Sequence, residues 1–340
     1  MKTSNEFKEY YNNEYKKIVD LYAETHNNLL RKESEKTRIF LVIIFVFFTI
    51  LSFAFNIYKS IVITILYFVI FSLLIFLLYV KQLLSVKKAI CYDINKMLYM
   101  DIIRFISGNK DYSFNPDSRI SKKYFQDSCM FNLEKYHYNG ENYTNCSFND
   151  QKIIFSDFYI YNYKYRTVED YIVEKGITYK RTITRKIPNK LFSGCYIEVP
   201  FKENISSYIY LISNRFKNVV KGRIDKFLIY DGDRVYLENL SFENNYNVYS
   251  CEETMARYVL DLPYMENIVD IDNYVDCKKS IVYRPDHKIS IFMEGFTIDS
   301  ILKQNVDFED DKISYSYLES FFNKINGIFI MINILQGKGK

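Results

Sequence analysis

Two acidic residues separated by one glycine form the most suggestive chemical pattern in this sequence. Asp231-Gly232-Asp233 has the spacing with which two carboxylates hold a divalent cation and a nucleotide-sugar diphosphate in many glycosyltransferases. The same residues suit a tight turn, because Asp tolerates turn geometry and Gly supplies a positive φ. They lie between strands predicted at 225–230 and 234–238. We therefore interpret them as a hairpin turn and keep Asp231 and Asp233 as the candidates for a metal site.

A second predicted hairpin, with its turn at Glu174-Lys175-Gly176, carries a cluster of basic residues. The cluster consists of Lys175, Lys180, Arg181, Arg185, Lys186 and Lys190. Basic clusters beside a membrane gain about 1 kcal/mol per residue near an anionic surface, so contact with lipid or with an acidic partner is one interpretation. Because the charges fall on both faces of the predicted strand, a solvated surface is the interpretation we favour.

Motifs for phosphate, zinc and nucleophilic chemistry do not occur in the sequence. It contains no GxxxxGK[ST], GxGxxG, HExxH or CxxC pattern. Cys195 follows Ser193-Gly194 without a GxSxG elbow, and we interpret it as a small buried residue. We therefore predict no catalytic residue, no cofactor and no metal beyond the two aspartates.

The elements that would position these residues begin with a long apolar segment at 39–80, in which Lys59 is the only charge. An α-helix needs about 20 apolar residues to cross a bilayer, so the segment predicts two transmembrane spans at about 39–58 and 60–80. Basic residues accumulate outside the spans and not in their short connection. We therefore expect a multi-pass protein of the plasma membrane with both termini in the cytoplasm.

Apolar stripes of helical period flank this segment at 5–36 and 81–107. Because the connection between the spans is short, the flanks are expected to pair as an antiparallel cytoplasmic stalk. Two separate helices lying on the bilayer are the alternative. Residues 1–110 thus form the first predicted domain, a transmembrane helical hairpin with its stalk.

Residues 111–340 form the second predicted domain, after the break at Gly108 and Asn115-Pro116. Strands are predicted at 152–165, 171–173, 177–187, 191–199, 208–213, 280–284 and 288–294, and helices at 121–130, 262–273 and 312–336. The stretch 131–148 is expected to contain a turn at Asn139-Gly140. The apolar face of the last helix is expected to pack on a core or on the stalk, with a segment on the membrane surface as the alternative. Runs of strands between helices predict an α+β class with a largely antiparallel sheet.

The charge balance argues against a nucleic-acid ligand. Residues 1–110 hold 15 of the 45 Lys and Arg and 9 of the 41 Asp and Glu, which leaves 30 basic against 32 acidic residues in the rest. A near-neutral domain lacks the positive surface of nucleic-acid binders.

The segment from Asp233 to Ile268 resembles the hallmark stretch of the domain of unknown function 3137 family. The matching residues are Phe242, Glu243, Val248, Tyr249, Ser250, Ala256, Arg257, Tyr258, Leu260, Met265 and Glu266. Leu191-Phe-Ser-Gly194 also resembles the family. Within the stretch, Ala256 to Tyr258 is expected to be a strand, and Glu243 and Arg257 a cross-strand ion pair. The resemblance implies a bacterial membrane protein without an assigned activity, with another membrane-anchored helical protein as a candidate partner.

Two functional hypotheses follow. The first is a membrane-anchored binding or scaffold protein that faces the cytoplasm and contacts the lipid bilayer and a protein partner, but no nucleic acid. The second is a membrane-associated enzyme acting on lipid or nucleotide-sugar substrates, with Asp231, Asp233 and the basic hairpin as its site.

Overall fold

The computed structural model describes residues 2–56, 61–108, 111–131, 136–174, 177–214, 232–309 and 312–337. The chain forms two compact units. The helical unit comprises Lys2–Asp101 with Ile301–Asn323, and the sheet unit comprises Ile102–Ser300 with Lys324–Lys340. Whether 1–110 and 111–340 are separate domains stays a prediction.

The helices lie at both ends of the chain and between the strands. They are α1 (Ser4–Tyr10), α2 (Lys16–Asn56), α3 (Ile61–Ser107), α4 (Lys122–Asp127), α5 (Leu240–Asn245), α6 (Glu253–Val259), α7 (Leu262–Asp270), α8 (Ile298–Leu302) and α9 (Tyr315–Leu335). A π-helical turn at Tyr11–Tyr15 joins α1 to α2, and a 3-10 turn at Ile271–Asn273 follows α7.

The strands of the sheet unit are β1 (Tyr112–Asn115), β2 (His137–Phe148), β3 (Gln151–Glu174), β4 (Ile177–Pro200), β5 (Ile209–Ser213), β6 (Asp233–Val235), β7 (Tyr246–Ser250), β8 (Lys278–Arg284) and β9 (Lys288–Glu294). Among the described residues they form one sheet in the order β1-β2-β3-β4-β9-β8-β5-β7-β6, and every neighbouring pair is antiparallel. The prediction of a large antiparallel sheet is therefore confirmed. The short strands β10 (Phe308–Glu309) and β11 (Lys312–Ile313) pair separately.

In the helical unit, two contacts pair α2 with α3. The hydroxyl of Tyr22 donates to Asp101 over 2.8 Å, and the hydroxyls of Ser34 and Tyr79 lie 3.3 Å apart. Because a residue early in α2 meets one late in α3, the two helices run antiparallel here.

The predicted transmembrane hairpin is wrong. Over the part of the chain that the structure describes, no helix has both the length and the apolar character that a bilayer crossing requires. The apolar run 39–80 is divided between α2 and α3, and each of these helices continues far into charged sequence. The transmembrane part of the predicted fold class and the multi-pass membrane localisation are therefore corrected. Residues 57–60, the predicted turn, lie outside the described residues.

The sheet is buried on both faces where it is widest. On one face, Phe125 of α4 contacts Phe158, with 4.8 Å between the ring centroids, and Phe158 stacks on Phe192 at 5.0 Å. On the other face, Phe329 of α9 lies 5.1 Å from Phe148 and 6.3 Å from Phe155. The predicted core-facing side of the last helix is thereby confirmed, since Phe329 and Ile332 are fully buried.

The hallmark segment differs from its prediction in two respects, the helix at its centre and the ion pairs of Glu243 and Arg257. Residues Glu253–Val259 form the helix α6 and not a strand, and Arg257 pairs with Glu253 one turn earlier at 2.7 Å. Glu243 instead bonds to Arg234 at 3.1 Å. The predicted Glu243–Arg257 pair is therefore wrong, because a helical Arg257 has a partner on its own helix.

Candidate functional site: a tyrosine–lysine face on a β-arm

Strands β3 and β4 extend beyond the sheet as a two-stranded arm. The register pairs β2 with β3 up to His137 opposite Tyr161, and pairs β9 with β4 only from Gly194 onward. Among the described residues, 162–174 and 177–190 therefore pair only with each other. We call these residues the β-arm.

A one-residue bulge decides which side chains of β4 share a face with the tyrosines of β3. Ile160 pairs with Phe192, but Tyr161 pairs with Lys190, so Leu191 is the extra residue. Successive side chains of a strand alternate between faces, and a shift of one residue exchanges the faces. Without the bulge, Lys190 would share the core face of Phe192. With it, Lys190 lies beside Tyr161 on the open face.

The open face carries two parallel rows of side chains. Tyr159, Tyr161 and Tyr163 follow one another at every second position of β3, and Lys186, Pro188 and Lys190 do so on β4. Asn139, Tyr159, Tyr161, Tyr163, Pro188 and Lys190 line an open groove of about 360 Å³. We call the six residues of the two rows the tyrosine–lysine face. This face lies on the same side of the sheet as Phe155, which α9 covers. The three tyrosines are only partly buried.

Cations and a histidine lie against the tyrosine rings. The Lys186 ammonium lies 3.9 Å from the centroid of the Tyr163 ring, and that of Lys190 lies 5.3 Å from the Tyr159 ring. The His137 ring stacks on Tyr161 at 5.5 Å with 24° between the planes. A cation over an aromatic face is attracted by the ring quadrupole, while its aliphatic stem packs on the ring. The rings and cations thus hold each other in position.

The pKa values of Tyr159 and Tyr161 are raised, so these two hydroxyls keep their protons. A hydrogen bond with Tyr163 raises the pKa of Tyr161, and burial adds to the effect. Burial also raises the pKa of Tyr159, together with the negative charge of Glu141 and Asp299. A raised phenol pKa means that each hydroxyl stays neutral at physiological pH and can donate a hydrogen bond.

A second groove adjoins the first. It encloses about 440 Å³ and is lined by Arg119, Ile120, Ser121, Lys122, Tyr136, His137 and Tyr138. Arg119 donates to the Asn139 side chain over 2.6 Å, and Asn139 lines the first groove. His137, which stacks on Tyr161, lines the second groove. The two grooves therefore adjoin, and the cations that line them are Arg119, Lys122 and Lys190, while Lys186 lies beside them over the Tyr163 ring.

The structure brings only part of the predicted basic cluster to this surface. Lys186 and Lys190 line it, whereas Lys180 pairs with Glu169 at 2.6 Å farther out on the β-arm. Arg185 is paired in register with Arg166, so it lies on the opposite face. The backbone of Arg181 pairs with Asp170, and Lys175 lies outside the described residues.

Of the two aspartates considered for a metal site, the structure describes only Asp233, the first residue of β6. Asp233 is exposed, and its backbone pairs with Ser250 of β7. Gly232 has a φ of 115°, a conformation in which glycine is favoured. Asp231 and the predicted strand 225–230 lie outside the described residues. Among the residues that the structure does describe, no group of three or more His, Cys, Asp or Glu could hold a metal ion.

A buried charge cluster between β4, β8 and β9 was not anticipated from the sequence. The Arg284 guanidinium is 2% exposed and donates to Glu198 over 2.9 Å and to Asp286 over 2.6 Å. Lys288 donates to the other oxygen of Glu198 over 2.8 Å, and the Tyr196 hydroxyl donates to Glu198 over 3.2 Å. The cluster places Arg284 and Lys288 among the carboxylates of Glu198, Asp286 and Asp127, and it thereby ties the turn between β8 and β9 to β4.

A second buried carboxylate, Asp157, caps the helix α8. Its two oxygens accept the backbone N–H groups of Ile298 and Asp299 over 2.6 and 2.7 Å, and the Asn142 side chain donates to it over 2.9 Å. Burial raises the pKa of Asp157 to about 7, although these donors act in the opposite direction. All these partners belong to the fold, so Asp157 positions α8 where the open part of the sheet begins.

The tyrosine row is the part of the site that the sequence predictions missed. The period-two pattern Tyr159, Tyr161, Tyr163, Tyr165 is visible in the sequence and indicates one aromatic face of a strand. In a chain with 33 tyrosines, the pattern does not stand out by composition alone. The bulge at Leu191, which brings the lysines to the same face, has no comparable signal.

These features define a protein with a broad antiparallel sheet and a protruding basic β-arm, on which an aromatic groove lies open. Residues 190–336 match the family described as protein of unknown function (DUF3137). The predicted resemblance to this family is thereby confirmed over these residues. No curated protein and no solved structure matches the chain.

Proposed function

We propose that the protein is a binding or scaffold module that holds another protein through the tyrosine–lysine face. The observation that carries the proposal is the row of half-buried tyrosines on β3, against whose rings Lys186 and Lys190 of β4 lie. Tyrosines supply large contact areas at a low cost in side-chain entropy, which is why they are enriched where proteins bind each other.

The architecture supports this proposal in a second way. The β-arm places its surface beyond the body of the sheet, where a partner can approach both strands. Residues 162–190 hold eight Lys and Arg against three Asp and Glu, a net charge of +5, whereas the whole chain carries +4. The positive charge is thus concentrated on the arm, and such a local field steers an oppositely charged partner to it.

Site-specific photo-crosslinking in the cell tests the proposal. Tyr163 is replaced with a benzophenone amino acid, and the matched control carries the same group at Tyr258, an exposed tyrosine on α6. A discrete protein adduct at position 163, absent at position 258, is expected. The adducted protein is then purified and titrated against the wild-type chain. Equal adduct patterns at the two positions would count against the proposal.

A further inference from the structure

The spacing of the two lysines on β4 restricts the form of the ligand. Lys186, Pro188 and Lys190 occupy alternate positions on one face. A strand rises about 3.3 Å per residue, so the two lysine backbones are about 13 Å apart, with a proline midway. An extended peptide laid along β4 has the same repeat, because its side chains on one side also recur at every second residue. Its residues i and i+4 therefore face the two lysines, and residue i+2 faces Pro188 and Tyr163.

The chemistry of the exposed groups favours carboxylates over nucleobases. Single-stranded nucleic acids bind to such surfaces by stacking bases on free aromatic faces. Here one face of each ring is already in contact with Lys186, Lys190 or His137. Tyr161 and Tyr163 also pack edge to face at 90°, so they do not form a flat platform. What remains exposed is a set of donors, namely ammonium groups and phenol hydroxyls, and carboxylates accept from both.

The charges around the groove give the ligand a direction. Glu141 and Asp299 act on Tyr159, at the end of the face nearest the sheet. Lys186 lies at the opposite end, and the second groove adds Arg119 and Lys122 on the side of β2. The cations thus attract the negative charge of the ligand along the β-arm and beside β2, whereas Glu141 and Asp299 repel it.

Resting on the proposed function, we infer that the ligand is an extended acidic segment of a partner protein, with acidic residues four positions apart and an apolar residue midway. The two carboxylates pair with Lys186 and Lys190, while the apolar side chain packs on Pro188 and Tyr163. Exposed charge pairs are weakened by salt, so the affinity falls as the ionic strength rises.

Fluorescence anisotropy with the full chain tests this inference. The probe is a labelled peptide Ser-Glu-Ser-Leu-Ser-Glu-Ser, compared with its Gln counterpart and with a peptide whose two Glu residues are three positions apart. We expect the first peptide to bind best. The double substitution Lys186→Gln and Lys190→Gln should lower its affinity about tenfold, because two exposed ion pairs are lost. Lys180→Gln is the matched control on the same arm, since Lys180 is paired with Glu169.

Three results would overturn the inference. The first is that the Glu and Gln peptides bind equally well, and the second is that Lys180→Gln weakens binding as much as the two lysine substitutions do. The third is that an oligothymidylate binds more tightly than the Glu peptide and that the two lysine substitutions abolish this binding. If any of these is found while the Tyr163 crosslink persists, the acidic ligand is wrong but the binding face stands. If the crosslink is also absent, the proposed function fails as well.

Discussion

The ammonium of Lys186 lies 3.9 Å from the centre of the Tyr163 ring, on the neighbouring strand of the same arm. Exposed cation–π contacts contribute about 0.5–1 kcal/mol. We therefore expect Tyr163→Leu to lower the free energy of unfolding by no more than about 1 kcal/mol. The substitution should also weaken binding of the acidic peptide, because Lys186 loses the ring on which it packs. Parallel urea denaturation and peptide anisotropy measure the two effects. Tyr258→Leu is the control, and it should leave peptide binding unchanged.

The Arg284–Glu198 pair is predicted to be one of the most sensitive polar contacts of the fold. Both side chains are nearly fully buried. Removing one partner of a buried ion pair costs about 3–5 kcal/mol when the other charge is left uncompensated. Because Lys288 still pairs with Glu198 in the variant, Arg284→Met is expected to lower the free energy of unfolding by no more than about 3–5 kcal/mol. Urea denaturation followed by tyrosine fluorescence measures it, since the chain contains no tryptophan.

A matched control for that measurement is Arg257→Met, which removes an exposed pair on α6. Pairs of this kind contribute about 0.3–0.5 kcal/mol. If the two substitutions cost the same, the charge cluster does not tie β4 to the β8–β9 turn as described.

Gly194 is predicted to tolerate no side chain. It faces β9 in the register Gly194 to Glu294, and a Cβ at this position would overlap the carbonyl oxygen of Met293. Gly194→Ala therefore forces β4 away from β9, and strain of this kind costs about 1–3 kcal/mol. Thermal denaturation of the variant should show a clear loss, while the neighbouring Ser193→Ala should not. An unchanged melting temperature for Gly194→Ala would show that β4 and β9 do not approach so closely.

Asp157 is predicted to make stability depend on pH. Its pKa in the folded chain is about 7, above the ordinary value of 3.8, so folding favours the protonated form. The stabilising contribution is complete below pH about 4 and is lost as the pH rises through about 7. Asp157→Asn removes this titration, although it also disturbs the cap of α8. Between pH about 4 and 7 the unfolding free energy should therefore fall less, or rise more, in the variant than in the unsubstituted chain. An equal change in both would show that Asp157 does not cause the pH dependence.

Much of the sheet was predictable because its strands are short runs rich in β-branched and aromatic residues that end at turn residues. The strand predicted at 288–294 is β9, and the one at 208–213 is β5 within one residue. The membrane prediction was wrong, because no helix among the described residues has the length and apolar character of a span. Arg257 was misplaced because a helix of seven residues spans only two turns, too few to show a clear helical periodicity in the sequence.

The site was only half visible in the sequence. Lys186 and Lys190 were singled out, but as part of a cluster whose other members lie elsewhere. Their contacts with Tyr159 and Tyr163 depend on the bulge at Leu191, because this extra residue exchanges the two faces of β4. Such a register shift comes from long-range strand pairing and not from local propensity.

Competition at the face tests the central claim most directly. In lysate of cells that express the chain with the crosslinker at position 163, the yield of the partner adduct is measured while the acidic peptide is titrated in. The claim predicts that the adduct decreases with the peptide and not with its Gln counterpart. An adduct whose yield is unchanged by saturating peptide, or that forms equally at position 258, would contradict it.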